Sequence, residues 1–184
     1  MINFNKALDK LKSFDPKKIT AKASISWMKK QIKNLTGDMP KMVTKLEIGK
    51  LYLFVYDAKH KDTLPFWDKF PLAMPYNYNK NRAVLSINFH YLAPKTRKLL
   101  MEKLLKTTNN LDETKALSIS YELLNGVSKF KEVAPATTSY LYPHIKSKVL
   151  EIPPSMWNMV LMLPIANFQG ASSGQVYKQS KGKI

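Results

Sequence analysis

The sequence predicts an α+β fold: a small antiparallel sheet, or a partly open SH3-like barrel, over about residues 49–92, flanked by an N-terminal basic helical arm and by C-terminal helices. Three observations carry this expectation. The run 51–56 is apolar on both alternating faces, as a strand covered on both sides must be, and 83–91 carries a second apolar run of strand length. The segments on either side of them space their apolar residues three and four apart. Turn-forming residues lie between the two runs, as in Asn77-Tyr78-Asn79-Lys80-Asn81.

Taken in order, Phe4, Ala7, Leu8, Leu11 and Phe14 make one face of an amphipathic helix, which Asp15-Pro16 interrupts because the residue before proline is pushed from helical dihedrals. A second helix is expected over about 24–35, with Ile25, Met28, Ile32 and Leu35 on one face, Lys29, Lys30 and Lys33 on or near the other, and Gly37 as its end. Through residue 50 there are twelve lysines against four acidic residues. Such an arm suits a phosphate backbone, because lysines displace condensed counterions without reading sequence; a solvated helix face is the plainer account of the same charges.

The strand at 51–56 is followed by a loop, 59–72, that mixes lysines, aromatics and prolines. A second strand is expected at 70–76, shortened or placed at an edge by Pro71 and Pro75, which cannot donate to a ladder. Residues 77–81 read as a turn and 83–91 as the third strand. Leu51, Leu53, Val55, Leu85, Ile87 and Phe89 are the expected heart of the sheet. Pro94 opens a helix to about residue 106, with Leu99, Leu100, Leu104 and Leu105 inward and Lys95, Arg97, Lys98, Lys103 and Lys106 outward. Asp112 is the expected N-cap of a further helix that Asn125-Gly126 closes, with Leu117, Tyr121 and Leu124 on its inner face. Residues 136–145 read as a short helix or turn, and Pro153-Pro154-Ser155 opens a last helical segment that Pro164 ends. From residue 170 the composition turns to glycine, serine, glutamine and lysine, which implies a flexible tail. The expected organisation is therefore an arm at 1–48, one domain at 49–169 and a tail at 170–184.

The chain has 184 residues, enough to bury a core of its own, and a formal net charge of +17. That excess favours a polyanionic partner. Cysteine is absent, which removes disulfides, thiolate catalysis and cysteine-ligated zinc. No signal-peptide core and no membrane-spanning run is expected. His60, His90 and His144 have no paired spacing, and no HExxH, Walker loop, GxGxxG or GxSxG occurs, so the reading is of a protein that is not an enzyme and needs no cofactor. Asp57, Asp62 and Asp68 raise a metal-dependent nuclease as the weakest of three readings; the simpler account pairs them with their neighbouring lysines. The candidate contacts to nucleic acid or a protein partner are Lys29, Lys30, Lys33, Lys59, Lys61, Phe66, Trp67, Lys69, Arg97 and Lys98. Phe66 and Trp67 enter because exposed aromatics between charges can stack on unpaired bases.

The residues Gly49-Lys50-Leu51-Tyr52, Tyr56 through Pro65, Phe70-Pro71-Leu72 and Ile87 through Leu92 resemble a group of small virion proteins of contractile-tailed bacteriophages, those labelled DNA end-protector proteins. The resemblance runs from about residue 24 to 177. It implies a virion protein, in the host cytoplasm during assembly, that binds DNA without sequence preference and shields the ends of packaged DNA. It transfers no individual residue role. The competing expectation is a structural neck, tail-tip or baseplate subunit whose lysines meet other virion subunits within a larger assembly.

Overall fold

The computed structural model describes residues 21–37, 39–80, 83–108 and 120–181. The helix expected at 4–14, Asp112 and Leu117 lie outside these residues.

Helix α1 (Ala21–Thr36) contains no proline or glycine and buries Ile25, Met28 and Ile32, the positions its spacing predicts. It ends at Gly37, whose φ of +75° is the left-handed conformation that only glycine adopts without strain; its N–H donates to the Lys33 carbonyl at 3.0 Å. Strands β1 (Met42–Val43), β2 (Leu51–Leu53), β4 (Leu72–Tyr78), β5 (Val84–Asn88), β6 (Thr137–Tyr140) and β7 (Val149–Ile152) form one antiparallel sheet in the order β1-β7-β2-β4-β5-β6. A separate pair joins β3 (Trp67–Asp68) to β8 (Phe168–Gln169). The large sheet is open, with β1 and β6 at its edges, so no barrel closes.

The sheet draws on residues 42–152, well beyond 49–92. Strand β7 fills the place between β1 and β2, and β6 occupies what the sequence suggested was a helix or turn. Strand β2 stops at Leu53; Tyr56 makes only an isolated bridge to Ile145, and the Val55 N–H donates to Ser147 Oγ. Strand β4 is interior, not at an edge. Pro75 is tolerated there because the register shifts between Pro75 and Asn77, so its missing N–H falls where the ladder is already interrupted, while its carbonyl accepts from the Gly49 N–H.

Among the described residues four further helices follow: α2 (Pro94–Thr108), α3 (Tyr121–Val127), α4 (Trp157–Leu161) and α5 (Ser173–Lys181). In α2 the inward stripe is Arg97, Leu100, Met101 and Leu104, while Leu99 is half exposed and Leu105 partly covered. Ser120 caps α3, its Oγ accepting from Leu123 N–H; Leu124 is buried and Tyr121 exposed. A 3₁₀ turn at Pro154–Met156 leads into α4, which ends before Pro164. Helix α5 stands where a flexible tail was expected, because Val176 is fully buried and Tyr177 bonds inward. No helix of the described residues is long and apolar enough to cross a membrane.

Strand alternation sends side chains to two cores. Leu51, Leu53, Leu72, Met74, Ile87, Leu150 and Ile152 face α1 to α4. Tyr52, Phe54, Ala73, Val84, Tyr140 and Val149 face a smaller cluster with Leu46, Tyr56 and Ala58, which no helix covers. Of the six residues expected at the heart of the sheet, Leu51, Leu53, Ile87 and Phe89 are buried, whereas Leu85 is half buried and so is Val55, which lies past the end of β2 at Leu53.

Candidate nucleic-acid interface

The segment between β2 and β4 leaves the sheet after Tyr56, turns over residues 58–64 and returns as β3. The turn is held by its own backbone: the N–H groups of Thr63 and Leu64 both donate to the His60 carbonyl at 3.0 Å. Residues 59–65 are exposed. At the return, Asp68 is 3 % exposed, and it fixes the loop to the rest of the molecule. Its Oδ1 accepts from the backbone N–H of Phe70 (3.0 Å) and Asn167 (3.2 Å); its Oδ2 accepts from Asn88 Nδ2 (3.0 Å) and His90 Nδ1 (2.8 Å). Burial opposes the charge of Asp68, but His90, Asn88 and the Phe70 amide together hold its pKa below the ordinary carboxylate value. Burial outweighs the pull of Asp68 on His90, so the imidazole is held below its ordinary value and is neutral, with Nδ1 as the donor.

His90 links this anchor to a second one. Its carbonyl accepts from Arg97 Nη2 at 3.0 Å, and Arg97 also donates to the carbonyls of Leu92 and Leu161 and to the Tyr177 hydroxyl at 2.6 Å. Arg97 is 2 % exposed. The sequence expectation that it faces a partner is therefore overturned: its guanidinium joins α2, α4 and α5 inside the protein. Its position on the stripe shared with Leu100, Met101 and Leu104 is the signal that would have found this.

Phe66 and Trp67 stand half buried above the anchor. Phe66 packs with Tyr91 (ring centroids 5.9 Å apart) and with Phe168 (6.3 Å), and Trp67 rests against the smaller core. Neither projects freely, as the loop reading had them. Together with Tyr91, Tyr140, Thr138 and Lys59 they border a cleft of about 740 Å³ between the loop and the edge strand β6. Thr138 and Tyr140 lie in the stretch that the sequence suggests is a short helix or turn; the β-branched Thr137 and Thr138 are the strand signal it carries.

The remaining candidates divide between two places. Lys59, at the cleft, and Lys69, just after β3, are exposed and make no ion pair among the described residues; Lys61 is tied to Asp57 at 3.0 Å, which holds that carboxylate below its ordinary pKa. Lys30 and Lys33 are exposed and Lys29 half buried on α1, which carries no acidic residue, and Lys98 is exposed on α2, 3.8 Å from Glu102. Helices α1 and α2 pack on the opposite side of the sheet from the cleft. The candidate metal residues are not brought together: Asp57 is paired, Asp68 is buried and saturated, and Asp62 is exposed, and the described residues hold no group of three or more His, Asp or Glu arranged for a metal.

A family model described as the phage T4 terminal DNA protecting protein matches residues 1–182. The chain belongs to that family. This gives it a phage context and a role in protecting DNA, with DNA as partner. No curated protein and no solved structure matches the chain.

Proposed function

We propose that this protein binds the ends of phage DNA without reading their sequence and shields them from exonuclease by occupancy, with no catalytic step. The protein would travel with the DNA, in the virion and in the host cytoplasm. The observation that carries this reading is how the charge is distributed. Glu47 and Glu151 pair with Lys41 and Lys50, Asp57 pairs with Lys61, and Asp68 is consumed inside. Lys30, Lys33, Lys59 and Lys69 are left exposed without an acidic partner among the described residues. Unpaired surface cations of this kind meet phosphates with little loss of internal bonding.

The test is binding of the full chain to linear duplex across a salt series, followed by exonuclease digestion of the bound DNA. Log affinity is expected to fall steeply with log salt, each neutralised phosphate contributing about −0.9 to the slope, and bound ends are expected to resist digestion. Absence of binding at about 50 mM salt, or affinity indifferent to salt, would overturn the reading.

A further inference from the structure

We propose that the cleft between the 57–67 loop and β6 receives the unpaired terminal nucleotide of a DNA strand, so that an end is recognised by what fits and not by its sequence. This deepens the DNA-end reading and rests on it.

Size excludes the larger alternatives. A volume of about 740 Å³ lies within the range of about 300–1,000 Å³ typical of small-ligand pockets, so a single unstacked nucleotide enters and a duplex does not. The lining supplies what a nucleotide needs. Phe66, Trp67 and Tyr91 present aromatic surface, which stacks on any base because every base has a π face. Thr138 brings a hydroxyl, and exposed Lys59 a cation for phosphate at the mouth. The net charge of +17 disfavours a cationic occupant and favours an anionic one.

The cleft is also built before its ligand arrives. Asp68 fixes the strand that follows Phe66 and Trp67, and β8 pairs with that strand through Trp67 and Gln169. Ordering costs are therefore largely met in the free protein. A nucleotide inside a continuous duplex must lose its pairing and two stacking neighbours, and swing out of a closed strand, before it can enter such a site. One at an end has a single stacking neighbour, and an overhanging one has no pair to lose. The cleft thereby converts shape into a preference for ends.

The experiment compares affinity for a relaxed, covalently closed DNA circle with affinity for the same sequence as a linear duplex carrying one unpaired nucleotide at each end. The native protein is expected to favour the linear form by at least about tenfold, the size of one base–aromatic stack. Thr138→Trp, which fills the cleft, is expected to bring that ratio close to one by lowering affinity for the linear form. Should Thr138→Trp fail to fold, Leu64→Glu places a carboxylate at the cleft mouth from an exposed loop position and is expected to lower the ratio in the same way. Equal affinity of the native protein for the two DNAs would overturn the cleft and leave DNA binding standing. Binding to neither DNA would overturn the DNA reading itself. A folded cleft variant that keeps the native ratio would show that ends are recognised elsewhere.

Discussion

The two faces of the sheet are built differently. One face is aliphatic and lies under four helices, with Leu51, Leu53, Met74, Ile87 and Leu150 wholly buried. The other is largely aromatic: Phe54, Tyr56 and Tyr140 meet edge to face with ring centroids 4.9–6.4 Å apart, and only loops cover them. An aliphatic layer has no polar atom to satisfy and is closed by packing alone. A tyrosine layer needs a partner for each hydroxyl, as when Tyr56 accepts from the Leu141 N–H, and is therefore suited to a boundary with water or ligand. Both the cleft beside β6 and a shallower groove lined by Lys146 and Lys148 open on this second face. Stability is concentrated on one side of the sheet and accessible chemistry on the other.

The largest effect is expected at the joint between them. Asp68→Ala leaves the donors of Asn88, His90, Phe70 and Asn167 without an acceptor inside the protein; a loss of about 3–5 kcal/mol in a urea titration is expected. Next, Ile87→Ala on the helix side should cost about 2–5 kcal/mol by opening a cavity, whereas Tyr56→Phe on the open side should cost about 1 kcal/mol, the worth of one hydrogen bond. Equal losses at the two positions would erase the distinction between the faces.

A smaller effect follows from pH. His90 is held neutral below its ordinary value of about 6.5, so its contribution is complete above that pH and is lost as acid protonates the unfolded chain first. Asp68, held below its ordinary value of about 4, adds a second loss only in stronger acid. The urea midpoint should therefore fall between pH 7 and pH 5, and this fall should be absent in His90→Gln. Smallest for stability, within about 0.5 kcal/mol, is Lys30→Ala with Lys33→Ala on the exposed face of α1. If the helix side also touches DNA through these lysines, the same pair reduces the salt slope by up to about 1.8; an unchanged slope removes Lys30 and Lys33 from the DNA contact.

Much of the first face was legible because it obeys simple periods. The apolar stripe of α1 with Gly37 after it, Pro94 at the head of α2, and the alternation of β2, β4 and β5 each act over a few residues. The second face was less legible because its parts are remote in sequence. Strand β7 is a four-residue run with no turn partner nearby, and its place beside β2 depends on pairings about a hundred residues apart. Strands β1, β3 and β8 are two residues each, too short to show a period. Of the site, Phe66, Trp67 and the lysines were named from composition, but the cleft needs Thr138 and Tyr140 from β6. Arg97 was placed with the lysines on the outer face of its helix, whereas it shares the buried stripe of Leu100, Met101 and Leu104.

Gly170 carries a consequence for synthesis. Its φ of +84° and the Pro65 carbonyl oxygen, 2.6 Å from where a β-carbon would stand, mean that the loop beside the cleft lies directly on a residue more than a hundred positions later. Asn167, Phe168 and Gln169 hold the same loop, and Tyr177 holds Arg97 behind it. A chain still on the ribosome, with its first two-thirds emerged, can begin the sheet but has nothing on which to seat residues 57–68. The cleft is among the last features to form, and a product terminated before residue 167 carries the lysines of α1 without the residues that seat the loop.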